Sequence, residues 1–216
     1  LIVMPCLLID REGTDKLINS LEVCYLGNAM QNLHFALLTD FTDAPTQSLP
    51  GDAELLNYAI QRIEQLNQRY PNNYGTSFFL LHREREWNEQ QNAWMGYERK
   101  RGKLLALNLW LRHSKDQFST IAGNHHEILS NVKYVITLDT DTILPRETAH
   151  QLVATMAHPL NYPVYNPKNK RIVSGYTILQ PRLAEEIPRY GQSRYAAMSS
   201  SIPGNDPYSL MSSDIY

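Results

Sequence analysis

The chain has 216 residues, 43% of them hydrophobic, enough to bury the core of a large domain and too apolar for a disordered segment. Its 20 basic and 22 acidic side chains leave a formal net charge of −2, so no basic excess points to nucleic acid. The longest apolar run, Leu1 to Ile9, is broken by Pro5, is too short to span a bilayer, and lacks the basic region and small-residue cleavage site of a signal peptide.

In chain order, "LIVMPCLLI" has the continuous apolar character of a buried strand. "TDKLINSLEVCYLGNAM" follows with helical spacing of Leu17, Ile18, Leu21, Cys24 and Tyr25, and with Thr14 as its expected cap. "LHFALLTD" reads as a second strand ending in Asp40, and "TDAPTQSLPG" as a loop of turn formers. Asp52 is placed to cap the next helix, whose stripe is Leu55, Leu56, Ala59, Ile60, Ile63 and Leu66. "FFLLH" is a short third strand, "REREWNEQQNAWMGYERKRG" a polar stretch carrying Trp87, Trp94 and Tyr97, and "KLLALNLWLRH" a helix. "VKYVITLDTD" reads as a strand and "PRETAHQLVATMAH" as a helix with Pro145 in its first turn. "RIVSGYTILQPR" is a last strand candidate, and "SIPGNDPYSLMSSD" is a loop by composition.

Strands alternating with helices predict an α/β fold with an open, mostly parallel sheet. Without repeats or a low-complexity linker, residues 1–216 read as one domain. The abrupt ends, "LIVMPCLLI" and "SSDIY", suggest a domain truncated from a longer protein. The two cysteines, Cys6 and Cys24, make no disulfide framework and are expected as buried free thiols of a reducing compartment.

Ligands of open α/β sheets bind beyond the carboxyl ends of the strands. Three expected strand ends are polar there: Pro5-Cys6, Asp40 and Asp139. Asp139 and Asp141 stand two apart, so an extended chain turns both carboxylates to one face. Such a pair suits a hard divalent cation, Mg²⁺ or Mn²⁺. The competing reading makes Asp139 a turn cap and Asp141 the cap of the helix near Pro145. Asp40, with Asp43 behind it, can accept hydrogen bonds from a ribose hydroxyl or a base N–H, or can form an Asx turn. Arg99, Lys100, Arg101 and Lys103 crowd a helix start, either as a phosphate site or as a solvated charge run offset by Glu86, Glu89 and Glu98. The histidines show no zinc-site spacing, and no glycine-rich phosphate loop is present.

This order of motifs resembles the inverting, nucleotide-sugar-dependent glycosyltransferases of GT-A fold. "KLLALN", Lys103 to Asn108, is similar to the K-A-G-A-L-N of the family that includes cellulose synthase. "FALLTDFTDAPTQ", "FFLLHREREWNEQQNAWMGYERKRGKL", "YVITLDTDTILPRE", "MAHPLN" and "GYTILQPR" together look like the glycosyltransferase domain of cyclic β-1,2-glucan synthases. The resemblance implies transfer of glucose from UDP-glucose to a growing β-1,2-glucan, within a large protein at the cytoplasmic face of the bacterial inner membrane. It implies that Pro5, Asp40 and Asp43 lie at the nucleotide, that Lys103, Lys100 or Arg101 faces the diphosphate, and that Asp139 and Asp141 hold the cation. Cys6 departs from the usual threonine after the proline, and Thr140 from the usual small apolar residue within D-x-D. The resemblance also implies a carboxylate base and a Q-x-x-R-W motif after D-x-D. Neither stands in residues 1–216, and Asp214 lacks the surroundings of the base. The alternatives are a nucleotidyltransferase using the same aspartates, or a carbohydrate-binding module stacking sugars on Trp87, Trp94 and Tyr97.

Overall fold

The computed structural model describes residues 1–72, 76–113, 117–123 and 130–181. Two compact units divide the chain, Leu1–Gln151 and Leu152–Tyr216. The expected final loop, Asp214 and the histidine pair at 125–126 lie outside the described residues.

The first unit is built on a five-stranded sheet. Its strands are β1 (Ile2–Leu8), β2 (Phe35–Phe41), β3 (Phe78–Arg83), β6 (Thr120–Ala122) and β7 (Ile136–Thr137), in the order β6-β3-β2-β1-β7. The pairings of β1 with β2, β1 with β7 and β2 with β3 are parallel, whereas β3 with β6 is antiparallel. Residues alternate between faces along each strand. Ile2, Met4 and Leu8 of β1, Phe35 and Leu37 of β2, and Phe78 and Leu80 of β3 pack in one core with helices α1 (Arg11–Asn28) and α2 (Asp52–Arg69). Val3, Ala36, Leu38, Phe79 and Leu81 pack on the other face against Ala106 and Leu107 of α3 (Arg99–His113). Burial on both faces explains why these strands read as unbroken apolar runs.

Several local expectations change. The cap of α1 is Asp10, whose Oδ1 accepts from Gly13 N at 2.6 Å. Thr14 is instead buried in the first turn, donating its hydroxyl to Asp10 O at 2.7 Å. Gly51 caps α2 at φ 94°, leaving Asp52 free to pair with Arg85. Pro5 lies inside β1 rather than at its end. Leu1 O and Val3 O accept from Ile136 N and Leu138 N, so odd residues of β1 face β7. The strand β7 has turned away by the level of Pro5, so the missing proline N–H leaves no acceptor stranded. The stretch "VKYVITLDTD" pairs only over Ile136 and Thr137. The helix expected from Pro145 begins at Thr148, as α4 (Thr148–Ala157). The polar stretch before α3 forms a hairpin, β4 (Glu86–Asn88) with β5 (Ala93–Met95).

In the second unit, a 3-10 turn over Pro159–Asn161 is followed by the hairpin of β8 (Val164–Asn166) and β9 (Arg171–Ser174). The latter strand is the expected one in "RIVSGYTILQPR". No helix among the described residues is long and apolar enough to cross a membrane.

Candidate functional site

Register and parity assemble the site. Asp40 of β2 is the register partner of Arg83 at the end of β3, and both point to the α3 face. Arg83 Nε donates to Asp40 Oδ1 and Nη2 to Oδ2, each at 2.9 Å. Lys103 reaches the same carboxylate from α3, with Nζ 3.3 Å from Oδ2, and donates to the carbonyl of Cys6. Asp40 is 1% exposed and Lys103 3%. Desolvation lowers the Lys103 pKa, and Asp40 opposes that shift. Both expected donor contacts are thus tied into one buried cluster, which pins α3 to the carboxyl ends of β1 and β2. Sequence reading missed Arg83. Its signal was a cation one residue past an apolar strand, level with an aspartate on the neighbouring strand.

Above this cluster lies a cavity of about 190 Å³, lined by Pro5, Cys6, Leu7, Asp40, Phe41, Asp43, Gly96, Arg99, Lys100 and Lys103. Its rim is charged. Arg99 Nη2 donates to Asp43 Oδ2 at 2.6 Å, and Lys100 pairs with Asp139, which lies outside the lining. Arg101, by contrast, points to Glu98 three residues before it and does not line the cavity. The loop bearing Asp43 is fixed from two sides. Ala44 exchanges two backbone hydrogen bonds of 2.9 Å with Trp94 of the hairpin. Arg85, 2% exposed, lies 4.9 Å over the Phe41 ring, donates to Thr42 O and Gln47 O, and pairs with Asp52.

Asp139 and Asp141 are exposed and lie on a turn in which Thr142 N donates to Asp139 O at 3.0 Å. The extended geometry expected of D-x-D is therefore replaced by a turn. The helix begins at Thr148, so Asp141 does not cap it. Among the described residues no third histidine, cysteine or carboxylate joins them to complete a metal group. Mg²⁺ and Mn²⁺ take one or two protein carboxylates and fill the remaining positions with water and substrate phosphate, so two exposed carboxylates are of the right chemical type for either ion. A second, larger cavity of about 490 Å³ lies on the other side of Pro5 to Leu7, bordered by α1 and Thr140.

Neither thiol is activated as a nucleophile. Both cysteines are free and buried, and burial pushes Cys6 up to about 12 and Cys24 up to about 11. Trp87 and Trp94 face each other across the hairpin, ring centroids 5.9 Å apart, and Trp87 and Tyr97 are exposed.

A mostly parallel five-stranded sheet flanked by helices, with a charged crevice beyond the carboxyl ends of its strands, is a Rossmann-like frame of the kind that glycosyltransferase domains use. Over its whole length the chain is 41% identical, across 217 aligned residues, to cyclic β-(1,2)-glucan synthase NdvB of Rhizobium meliloti (strain 1021). It spans 8% of that protein, and so corresponds to a short segment of it. The resemblance drawn from the motifs therefore holds from end to end. No protein-family model matches the chain.

Proposed function

We propose that this chain is the donor-binding part of a glycosyltransferase that moves glucose from UDP-glucose onto a growing β-1,2-glucan with inversion. The observation that carries the reading is the end-to-end identity with a protein named cyclic β-(1,2)-glucan synthase. The charged cavity supports it, because a diphosphate needs cations at a strand-end crevice.

In this reading Arg99 and Lys100 face the diphosphate from the first turn of α3. Asp43 accepts from the nucleoside, while Asp40, Lys103 and Pro5 form the floor. Asp139 and Asp141 would hold Mg²⁺ or Mn²⁺, which supplies positive charge to the departing diphosphate. Lys100 then exchanges Asp139 for a phosphate oxygen, since both side chains are half exposed and free to separate. The acceptor hydroxyl attacks the anomeric carbon opposite the leaving UDP, and its proton goes to a carboxylate supplied by the longer protein. The remainder of that protein spans the bacterial inner membrane, with this segment at its cytoplasmic face. The exposed Trp87 and Tyr97 offer stacking faces for the glucan acceptor.

The test uses the longer protein with UDP-glucose and Mn²⁺. Release of UDP with formation of a β-1,2 linkage is expected, and Asp139→Asn with Asp141→Asn abolishes both Mn²⁺ binding and turnover. Pyrophosphate formed from a nucleoside triphosphate would identify a nucleotidyltransferase instead. Glucan affinity indifferent to UDP and Mn²⁺, with no turnover, would identify a binding module.

A further inference from the structure

We infer that Arg83 is the positioning residue of this site: its guanidinium sets where the α3 cations stand over the cavity. The side chain is 8% exposed and occupies the last position of β3. Besides its two bonds to Asp40, its Nη2 donates to Tyr97 O at 3.2 Å and Arg99 O at 3.3 Å. One planar group thus joins two strand ends to the segment that starts α3.

That segment is strained. Glu98 and Arg99 stand at φ 50° and 48°, in the left-handed region that non-glycine residues seldom occupy. Such a conformation persists only where its surroundings over-determine it. The surroundings here are tight. A Cβ on Gly96 would lie 2.2 Å from Asp40 Oδ2, and one on Gly102 would lie 1.9 Å from Tyr97 O and 3.1 Å from Arg83 Nη1. Arg99 and Lys100 leave from this turn, toward Asp43 and Asp139. Arg83 also determines the buried charge. With Lys103 it outnumbers Asp40, which leaves one positive charge behind a cavity proposed to take an anion. It acts through its neighbours and does not itself line the cavity.

The consequence for donor affinity rests on the proposed function, whereas the positioning of the turn does not. Lysine keeps the charge at residue 83 but is a point donor, unable to span the carboxylate and two carbonyls as a planar fork. The experiment compares wild type, Arg83→Lys and Arg83→Gln in the full-length protein, with Arg62→Gln as a control. Arg62 pairs with Asp15 between α2 and α1 and does not line the cavity. In Arg83→Lys, amide hydrogen exchange over residues 96–103 rises about ten-fold, while β1 and β2 keep wild-type protection. The KM for UDP-glucose rises about ten-fold with kcat nearly unchanged, because affinity and not the chemical step is lost. Arg83→Gln leaves the balanced pair of Lys103 and Asp40 in place, so it folds even where a lysine does not, and it raises KM further. Arg62→Gln changes neither readout. Wild-type exchange over residues 96–103 in both Arg83 variants overturns the inference. Exchange accelerated uniformly through the sheet does so too, since that is a merely structural role. Should the wild-type protein release no UDP from UDP-glucose, the donor reading falls, and the exchange data alone still decide the role of Arg83.

Discussion

Replacing Asp40 with asparagine removes the negative charge that lies between Arg83 and Lys103. The carboxylate is 1% exposed and engages both cations, at 2.9 Å and 3.3 Å. Asparagine has nearly the same shape, so little packing changes, but two buried cations lose their counter-charge. Breaking a buried ion pair by removing one partner costs about 3–5 kcal/mol, because the other charge remains desolvated and uncompensated. For a chain of this size each kcal/mol lowers the melting temperature by about 2–4 °C, so the expected fall is about 6–20 °C. Thermal unfolding at pH 7, followed by circular dichroism, measures it. Adding Arg83→Met to Asp40→Asn should recover part of the loss, because one unpaired cation is then gone. A loss below about 1 kcal/mol, the range of an exposed pair, would refute the reasoning.

His82 predicts an acid limb. The ring is fully buried and shares a 2.9 Å hydrogen bond with Thr39 Oγ1, and burial drives its pKa down from 6.5 to about 4. Between those values the unfolded chain binds a proton that the folded chain refuses, so stability falls as pH drops through that window, by about 3 kcal/mol in all. Urea unfolding at pH 7 and pH 4 should show a smaller difference in His82→Gln; an equal difference would exclude His82 as the cause. Gly96→Ala places a methyl 2.2 Å from Asp40 Oδ2, so overpacking of about 1–3 kcal/mol is expected in the unfolding midpoint. Wild-type stability there would mean that the Asp40 carboxylate moves freely. Asp10→Ala removes the cap of α1 and should cost about 1 kcal/mol, with Asp10→Asn close to wild type; equal losses in the two would show that charge, not capping, matters.

The core strands and helices were legible because burial on both sheet faces leaves continuous apolar runs, and one-sided helices leave a stripe such as Ala59, Ile63 and Leu66. The hairpin of Glu86–Met95 was not, because its strands are only three residues long and Glu86–Asn88 is mostly exposed. Its position depends on pairing with Ala44, about fifty residues away in the chain. The strand ending in D-x-D was overextended for a related reason. Tyr134 to Asp141 has a strand's composition, but pairing stops once the chain turns at Asp139.

For the site, the residues alone determined which side chains are present and in which order: Asp40, the cations opening α3, and the aspartates after an apolar run. A motif records neighbours along the chain, so it placed these groups near one crevice without saying which face each other. Tertiary structure decided the pairings. Parallel register set Asp40 beside Arg83 across 43 residues, and helix packing brought Lys103 to Cys6 across 97. It also decided their exposure. An ionised group sealed from water must be paired, and Asp40 and Lys103, both buried, pair with each other at the floor of the cavity. Arg99, Lys100 and Asp43 remained at its exposed rim, with Asp139 paired to Lys100, still accessible to a charged ligand.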